Sequence, residues 1–162
     1  MDIAVAAKLL LLLIVANGAP IIAHKLFGAR GAWPIDCGCR LPDGQPLFGA
    51  SKTWRGLIAA VVITPPAAWL LGLPPMIGLH VALLAMLGDL LSSFTKRRLR
   101  IPPSGMAFGL DQIPEALLPL LVVGLELGLK PVDVVLLSIV FLVVELLLSR
   151  ILYRLDIRKR PY

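Results

Sequence analysis

An apolar run of membrane length, from about Leu73 to Leu87, leads directly into the charged segment Gly88–Arg98. The segment begins with Asp89, at the end of the apolar run. A carboxylate in a membrane span is costly, so it indicates a function. If the helix continues, Ser93 and Lys96 lie on the face of Asp89, at spacings of four and seven residues. A carboxylate that can hold a metal ion, beside a hydroxyl and a cation, suits phosphate chemistry at a bilayer surface.

The overall composition predicts an all-α integral membrane protein. Of the 162 residues, 58% are hydrophobic, and the mean hydropathy of +0.88 is too high for an ordinary soluble domain. Since a span needs about 20 residues, the chain has room for about five transmembrane helices and two modest loops. The apolar runs place these spans at Ile3–Ile22, Leu57–Leu71, Leu73–Leu91, Ile113–Leu129 and Val132–Tyr153.

The distribution of cations predicts the orientation in the membrane. With five spans, 14 of the 16 lysines and arginines fall on one side, and only Lys8 and Lys130 fall on the other. The positive-inside rule then puts the two long loops and the C-terminus in the cytosol. The net charge of +6 follows from the same bias, and no soluble module is present to bind nucleic acid.

The first cytosolic loop ends in Gly49–Gly56, which contains Lys52, Thr53 and Arg55. Backbone amides and a hydroxyl beside two cations are suited to a triphosphate. The segment is not a Walker loop, because Gly-x-x-x-x-Gly-Lys-Ser/Thr is absent. The alternative is that the cations only anchor the chain at the membrane surface, with Trp54 at the interface.

The second loop joins two carboxylates at one depth. Asp89 lies near the end of the third predicted span, and Asp111 lies just before the fourth. Two carboxylates brought together by one loop can share Mg²⁺, which prefers oxygen ligands and keeps room for substrate phosphates. The alternative for Asp111 is an N-terminal helix cap, which its position also fits.

Several motifs resemble one family of membrane enzymes. Two are fairly specific: Lys-Thr-Trp-Arg-Gly at residues 52–56 and Gly-Asp-x-x-x-Ser-Phe-x-Lys-Arg-Arg at residues 88–98. With shorter matches, they occur in family order over residues 17–112. The chain resembles the CDP-archaeol synthase family of CTP-dependent cytidylyltransferases, distantly related to CDP-diacylglycerol synthases. The shorter matches are Asn17-Gly-Ala-Pro20, Pro34-Ile-Asp36, Asp43-Gly44, Phe48-Gly49 and Asp111-Gln112.

The resemblance implies one membrane-embedded domain over residues 1–162, with a site formed by the two cytosolic loops of a cell-membrane protein. It implies a Mg²⁺-dependent transfer of CMP from CTP to a lipid phosphate. The residues assigned to metal and catalysis are Asp89, Asp111 and Lys96, and those assigned to phosphates are Lys52, Thr53, Arg55, Ser93, Lys96 and Arg97.

This chain departs from the family pattern beside Asp111. The family usually has Asp-Gln-Leu-Asp, whereas this chain has Asp111-Gln-Ile-Pro114 followed by Glu115. Glu115 either replaces the missing carboxylate as a metal ligand or only supports the fourth helix. The lipid is left open, between an archaeal-type ether lipid phosphate and a phosphatidate-like one. The oligomeric state is also open, with a homodimer as one option.

A different class of function is a small transporter or channel subunit with Asp89 and Glu145 on an ion path. Transport requires polar groups at several depths of one pathway. The charges of this chain instead cluster at one side of the membrane. This distribution favours chemistry at the membrane surface over transport.

Overall fold

The computed structural model describes residues 2–102, 105 and 107–155. The described chain is helical, with two isolated β-bridges and no strand. Three helices are long and apolar enough to cross a membrane, and two apolar helices are shorter. The helices are α1 (Ile3–Phe27), α2 (Trp54–Leu70), α3 (Pro75–Arg98), α4 (Gln112–Pro119), which continues as a π-helical segment (Leu120–Gly124), and α5 (Pro131–Arg154).

The predicted all-helical membrane architecture is confirmed, but several predicted bounds are wrong. α1 continues through Pro20 to Phe27, because helix packing tolerates proline within membrane helices. α2 begins three residues before Leu57, since the Thr53 side chain caps it. The π-helical segment ends at Gly124, and helical structure ends at Glu126 rather than at the predicted Leu129. There the chain turns through Gly128, which has a φ of 86° that favours glycine.

α3 lies at the centre of the bundle and contacts α1, α2 and α4. Its close contact with α2 occurs at Gly78, where a Cβ would lie 2.6 Å from the carbonyl oxygen of Thr64. The α3 helix continues to Arg98 without interruption. The predicted end of the third span at Leu91 is therefore wrong, because the charged segment stays helical to Arg98. This continuation keeps Asp89, Ser93 and Lys96 on one side of α3, as expected if the helix continues.

The outer surface of the bundle is apolar. Large aliphatic side chains such as Ile58, Val62, Leu83, Leu136 and Val143 are exposed. Exposed aliphatic surface of this extent is typical of helices that face lipid. The core beneath it is formed by buried residues of α1, α3, the fourth helical segment and α5, including Leu9, Leu12, Leu13, Val81, Leu120, Val123, Val134 and Phe141.

Some residues that the predicted orientation places in the cytosol lie outside the described part of the chain. They are Ser104 in the second loop and the tail cations Arg158, Lys159 and Arg160.

Candidate active site

The site is centred on an ion pair between the first loop and α3. Loop 1 (residues 28–53) delivers Lys52, whose ammonium donates a hydrogen bond to the Asp89 carboxylate. Both side chains are about one-fifth exposed, at 20% and 21%. A pair with this exposure is shielded from bulk water and yet accessible to a ligand. The structure thus brings together two residues that are 37 positions apart in sequence.

Glu115 joins this pair from α4. Its carboxyl group lies within hydrogen-bonding range of the Asp89 carboxyl group and within electrostatic range of Lys52. The contact depends on Gly88, because a Cβ there would overlap the backbone of Pro114 and lie 2.7 Å from the amide nitrogen of Glu115. Only a glycine therefore lets α3 and α4 approach closely enough for the two carboxyl groups to meet.

A second ion pair lies beside the first and involves Asp111. The Lys96 ammonium lies 2.5 Å from Asp111 Oδ1 and also donates a hydrogen bond of 3.2 Å to the Gly105 carbonyl. Asp111 occupies the N-cap position of α4, but its side chain makes no capping hydrogen bond to that helix. It accepts the Ala107 amide instead, at 3.1 Å. The cap interpretation of Asp111 is therefore wrong, and its second oxygen is committed to loop 2 (residues 99–111).

Arg97 follows Lys96 on α3 and is only 2% exposed. One nitrogen of its guanidinium donates a hydrogen bond of 3.0 Å to the Pro102 carbonyl. Its Nε and Nη1 atoms have no hydrogen-bond partner among the described residues, and its charge interacts with Asp111. Because an unsatisfied buried guanidinium is costly, these free donors are suited to an anionic ligand. Ser93, also 2% exposed, lies one turn before Arg97 on α3.

Two predicted phosphate ligands lie outside this cluster. Thr53 accepts the Gly56 amide with its hydroxyl and so caps α2. Arg55 extends to the end of α1, where it donates hydrogen bonds to the carbonyls of Gly28 and Arg30. Both residues therefore have structural partners in this conformation. Their assignment to nucleotide phosphates stays a prediction.

Asp36 organises loop 1 from within. Its carboxylate accepts the amides of Gly38, Phe48 and Gly49, at 2.8 to 3.0 Å. Burial alone would raise the pKa of Asp36, but these amide donors outweigh burial and hold the pKa below its usual value. The ionised carboxylate therefore fixes the turn that precedes Lys52.

Arg98 attaches the far end of loop 1 to α3, a contact that was not predicted from the sequence. Its guanidinium donates to Asp43 Oδ2 and to the Pro46 carbonyl, both at 2.7 Å. The same guanidinium lies over the Phe94 ring, 5.2 Å from its centroid. The sequence motif marked Arg98 but not its partners, which lie more than 50 positions earlier in the chain.

The site brings three cations and three carboxyl groups together. Three cations interact with three carboxyl groups, and we call these six residues the charge cluster: Lys52, Lys96, Arg97, Asp89, Asp111 and Glu115. Burial lowers the pKa of Lys52, but the facing carboxylates raise it above its usual value, so the ammonium stays charged. Glu145 on α5 lies outside the cluster but within electrostatic range of Glu115.

The donor atoms of the charge cluster fit Mg²⁺. Asp89 and Glu115 supply adjacent carboxyl oxygens, and like charges so close together need a cation or a proton between them. Among the described residues, no group of three or more histidine, cysteine, aspartate or glutamate side chains is placed to hold a metal ion. Two carboxylates with open positions for water and substrate phosphates are the usual Mg²⁺ arrangement.

The comparisons with known proteins agree with these features. The CarS-like CDP-archaeol synthase family model matches residues 3–73 and 74–162. The chain is 35% identical to the CDP-archaeol synthase of Pyrobaculum arsenaticum over 153 residues, covering 91% of this chain and 92% of the relative. It is also 35% identical to the Pyrobaculum calidifontis CDP-archaeol synthase over 158 residues, with 91% of each chain covered.

A solved structure of an intramembrane enzyme for archaeal membrane lipid biosynthesis has the same fold. Its TM-score to this chain is 0.76 at 33% sequence identity, and the match covers 89% of this chain and 92% of that one. The family match spans nearly the whole chain, and the structural match spans the bundle that carries the charge cluster. The chain therefore belongs to the CDP-archaeol synthase family and is an integral membrane enzyme.

Proposed function

We propose that the enzyme activates an archaeal-type ether lipid phosphate with CTP, giving a CDP-lipid and pyrophosphate. Family membership makes the chain a CTP-dependent cytidylyltransferase that acts on a lipid phosphate. The family is one of enzymes and not of ion-conducting subunits. The charge cluster at the end of α3 is the observation that supports the reaction most directly.

The proposed reaction needs no covalent enzyme intermediate. An oxygen of the lipid phosphate attacks the α-phosphorus of CTP, the bond to the oxygen that bridges the α- and β-phosphates breaks, and pyrophosphate leaves with that oxygen. Since a lipid phosphate is already ionised, no general base is required. The protein must bring two anions together and stabilise the charge that develops.

The charge cluster contains groups for each of these tasks. We assign Lys52, at the end of loop 1, to the triphosphate. We assign Arg97 to a second phosphate group, because two of its buried guanidinium nitrogens have no hydrogen-bond partner among the described residues. Asp89 and Glu115, with Asp111 nearby, would hold Mg²⁺. When bound, Mg²⁺ would neutralise phosphate charge and hold the triphosphate in position.

A labelling experiment tests this proposal. Purified enzyme is incubated with Mg²⁺, a lipid phosphate, and CTP labelled at either the α- or the γ-phosphate, and the lipid phase is counted. We expect label from the α position alone, with faster transfer to an archaeal-type ether lipid phosphate than to phosphatidate. Label from the γ position would indicate a lipid kinase. Equal transfer to both lipids would contradict the proposed substrate.

We also propose that the charge cluster faces the cytosol, on the basis of the cation distribution. Cys37 and Cys39 in loop 1 are exposed and free, so they are natural reporters. We expect an impermeant thiol reagent to label them only after the cells are permeabilised. A cysteine at Lys130, on a variant lacking both natural cysteines, should be labelled in intact cells. Labelling of loop 1 in intact cells would reverse the orientation.

A further inference from the structure

Lysine ammonium groups already occupy the positions beside the proposed metal ligands. Lys52 is hydrogen-bonded to Asp89, and Lys96 is paired with Asp111. Both lysines are also among the residues assigned to substrate phosphates. Neither the carboxylates nor the lysines are therefore free to receive a ligand without first losing a partner.

We infer that Lys52 and Lys96 are exchangeable counter-ions, so that a divalent cation and a triphosphate bind this site together and each binds poorly alone. This inference rests on the proposed function, because it concerns the binding of its nucleotide and metal ion. It goes further by stating that the affinity for the metal ion depends on whether the triphosphate is bound, and the reverse.

A divalent cation alone meets Asp89 and Asp111 already paired with lysines. To use Asp89, it must displace the Lys52 ammonium, which is only one-fifth exposed. The displaced ammonium then lies in a partly buried site beside an added positive charge and without an anion. Leaving a shielded charge without its partner is strongly unfavourable, so the exchange opposes binding of the cation alone.

A triphosphate alone meets the opposite problem. To bind it, Lys52 must leave Asp89, whose carboxyl group then faces Glu115 and the negative phosphates without a cation. When both ligands arrive, the metal ion replaces the ammonium at the carboxylates, and the phosphates replace the carboxylates at the ammonium. Every charge keeps a partner, so each ligand favours the other to the same degree.

The position of Lys52 permits this exchange. It lies in loop 1, just before the helix α2, and its long side chain can turn without any change in helix packing. Arg98 and Asp36 hold the rest of loop 1 in place meanwhile. Lys96 is more buried, at 8% exposed, and must also give up the Gly105 carbonyl, so Lys52 is the freer of the two exchanging lysines. Arg97, which is 2% exposed and hydrogen-bonded to the Pro102 carbonyl, has no carboxylate of its own to exchange.

The test measures Mn²⁺ binding directly, by electron paramagnetic resonance on the purified enzyme without lipid phosphate. Because the acceptor is absent, added CTP is not consumed. After correction for the Mn²⁺–CTP complex in solution, we expect CTP to tighten Mn²⁺ binding by roughly tenfold to a hundredfold in the wild type. An absence of this coupling would overturn the inference.

The variant Lys52→Met removes one counter-ion. We expect it to bind Mn²⁺ alone about tenfold more tightly than the wild type and to lose most of the enhancement by CTP. Lys52→Arg keeps the charge and should keep weak binding of Mn²⁺ alone, and Lys96→Met provides the same test at Asp111. Unchanged or weaker binding of Mn²⁺ alone in both Met variants would overturn the inference.

Lys8→Met is the matched control. Lys8 lies near Gly72, at the opposite end of the bundle from the charge cluster. Its loss removes a cation without touching the site, so Mn²⁺ binding should not change. A change equal to that of Lys52→Met would mean that overall charge matters, which would refute the exchange. Transfer of α-label by the wild type is measured separately, so failure of the exchange and failure of the proposed function are distinguished.

Discussion

The substitution Gly88→Ala should inactivate the enzyme by separating two helices. The added Cβ would lie 2.5 Å from the carbonyl carbon of Pro114, whereas ordinary contacts begin at 3.4 Å. The backbones of α3 and α4 must therefore separate by at least about 0.9 Å at this point, the difference between those two distances, because the Pro114 carbonyl oxygen lies nearer still. A displacement of about 1 Å between catalytic groups can cost on the order of a hundredfold in rate. We expect a loss of that size, because Glu115 would be moved away from Asp89.

Two other glycines separate this effect from general destabilisation. Gly78 is also crowded, with a Cβ 2.8 Å from Ala68, but it lies ten residues, or about 15 Å of helix, from Gly88. Gly78→Ala should reduce thermal stability by about 1–3 kcal/mol, as overpacking does, but the folded fraction should keep its turnover. A Cβ added to Gly18 would meet no neighbouring atom within 4 Å, so Gly18→Ala should be tolerated.

The assay is transfer of α-labelled CMP to lipid phosphate, normalised to folded protein measured by size-exclusion chromatography and thermal denaturation in detergent. The expected pattern is loss of turnover in Gly88→Ala alone and loss of stability in both crowded variants. If Gly88→Ala retained turnover within about twofold of the wild type, the close approach of α3 and α4, and with it the contact between Asp89 and Glu115, would not matter for catalysis.

Three other perturbations test the charge cluster and loop 1. Asp89→Asn should lower turnover by on the order of a thousandfold. Glu115→Gln should markedly raise the Mg²⁺ concentration needed for turnover, and an unchanged dependence of turnover on Mg²⁺ would exclude Glu115 as a ligand. Arg98→Ala should raise KM for CTP by roughly fivefold with a smaller change in kcat, because the loss of partly exposed, charge-assisted hydrogen bonds costs about 1 kcal/mol. A fivefold loss in kcat with KM unchanged would contradict the role of Arg98 in positioning loop 1. Asp43→Asn should raise KM less, and its effect should not add to that of Arg98→Ala. Folding lowers the pKa of Asp36, so the ionised carboxylate stabilises loop 1 at pH values above its ordinary pKa of 3.8, and this stabilisation is lost as the pH falls through the lower pKa of the folded state. Proteolysis of loop 1, measured as a function of pH, should therefore speed up in acid for the wild type, and Asp36→Asn should remove this acid-dependent change.

The membrane architecture was predictable because it depends on local properties of the sequence. Apolar runs of sufficient length form helices in lipid, where the backbone must satisfy its own hydrogen bonds. The charged segment after Leu87 identified Asp89, and the short loop between two helices predicted that Asp111 would lie nearby. The helix ends were less accurate, because caps such as Thr53 and the π-helical segment after Pro119 depend on side-chain and backbone geometry that hydropathy does not measure.

The helical membrane fold, the likeness to one family and most members of the charge cluster could be read from the amino-acid order. The pairing of those members depends on the folded bundle. It placed Glu115 against Asp89 through the contact of Gly88 with Pro114, directed Arg55 to the end of α1, and bound Arg98 to loop 1. These pairings join residues far apart in the chain, and they depend on distances between backbones of different helices. Periodicity and local spacing carry no information about such distances, so the partners of each charge had to come from the folded bundle.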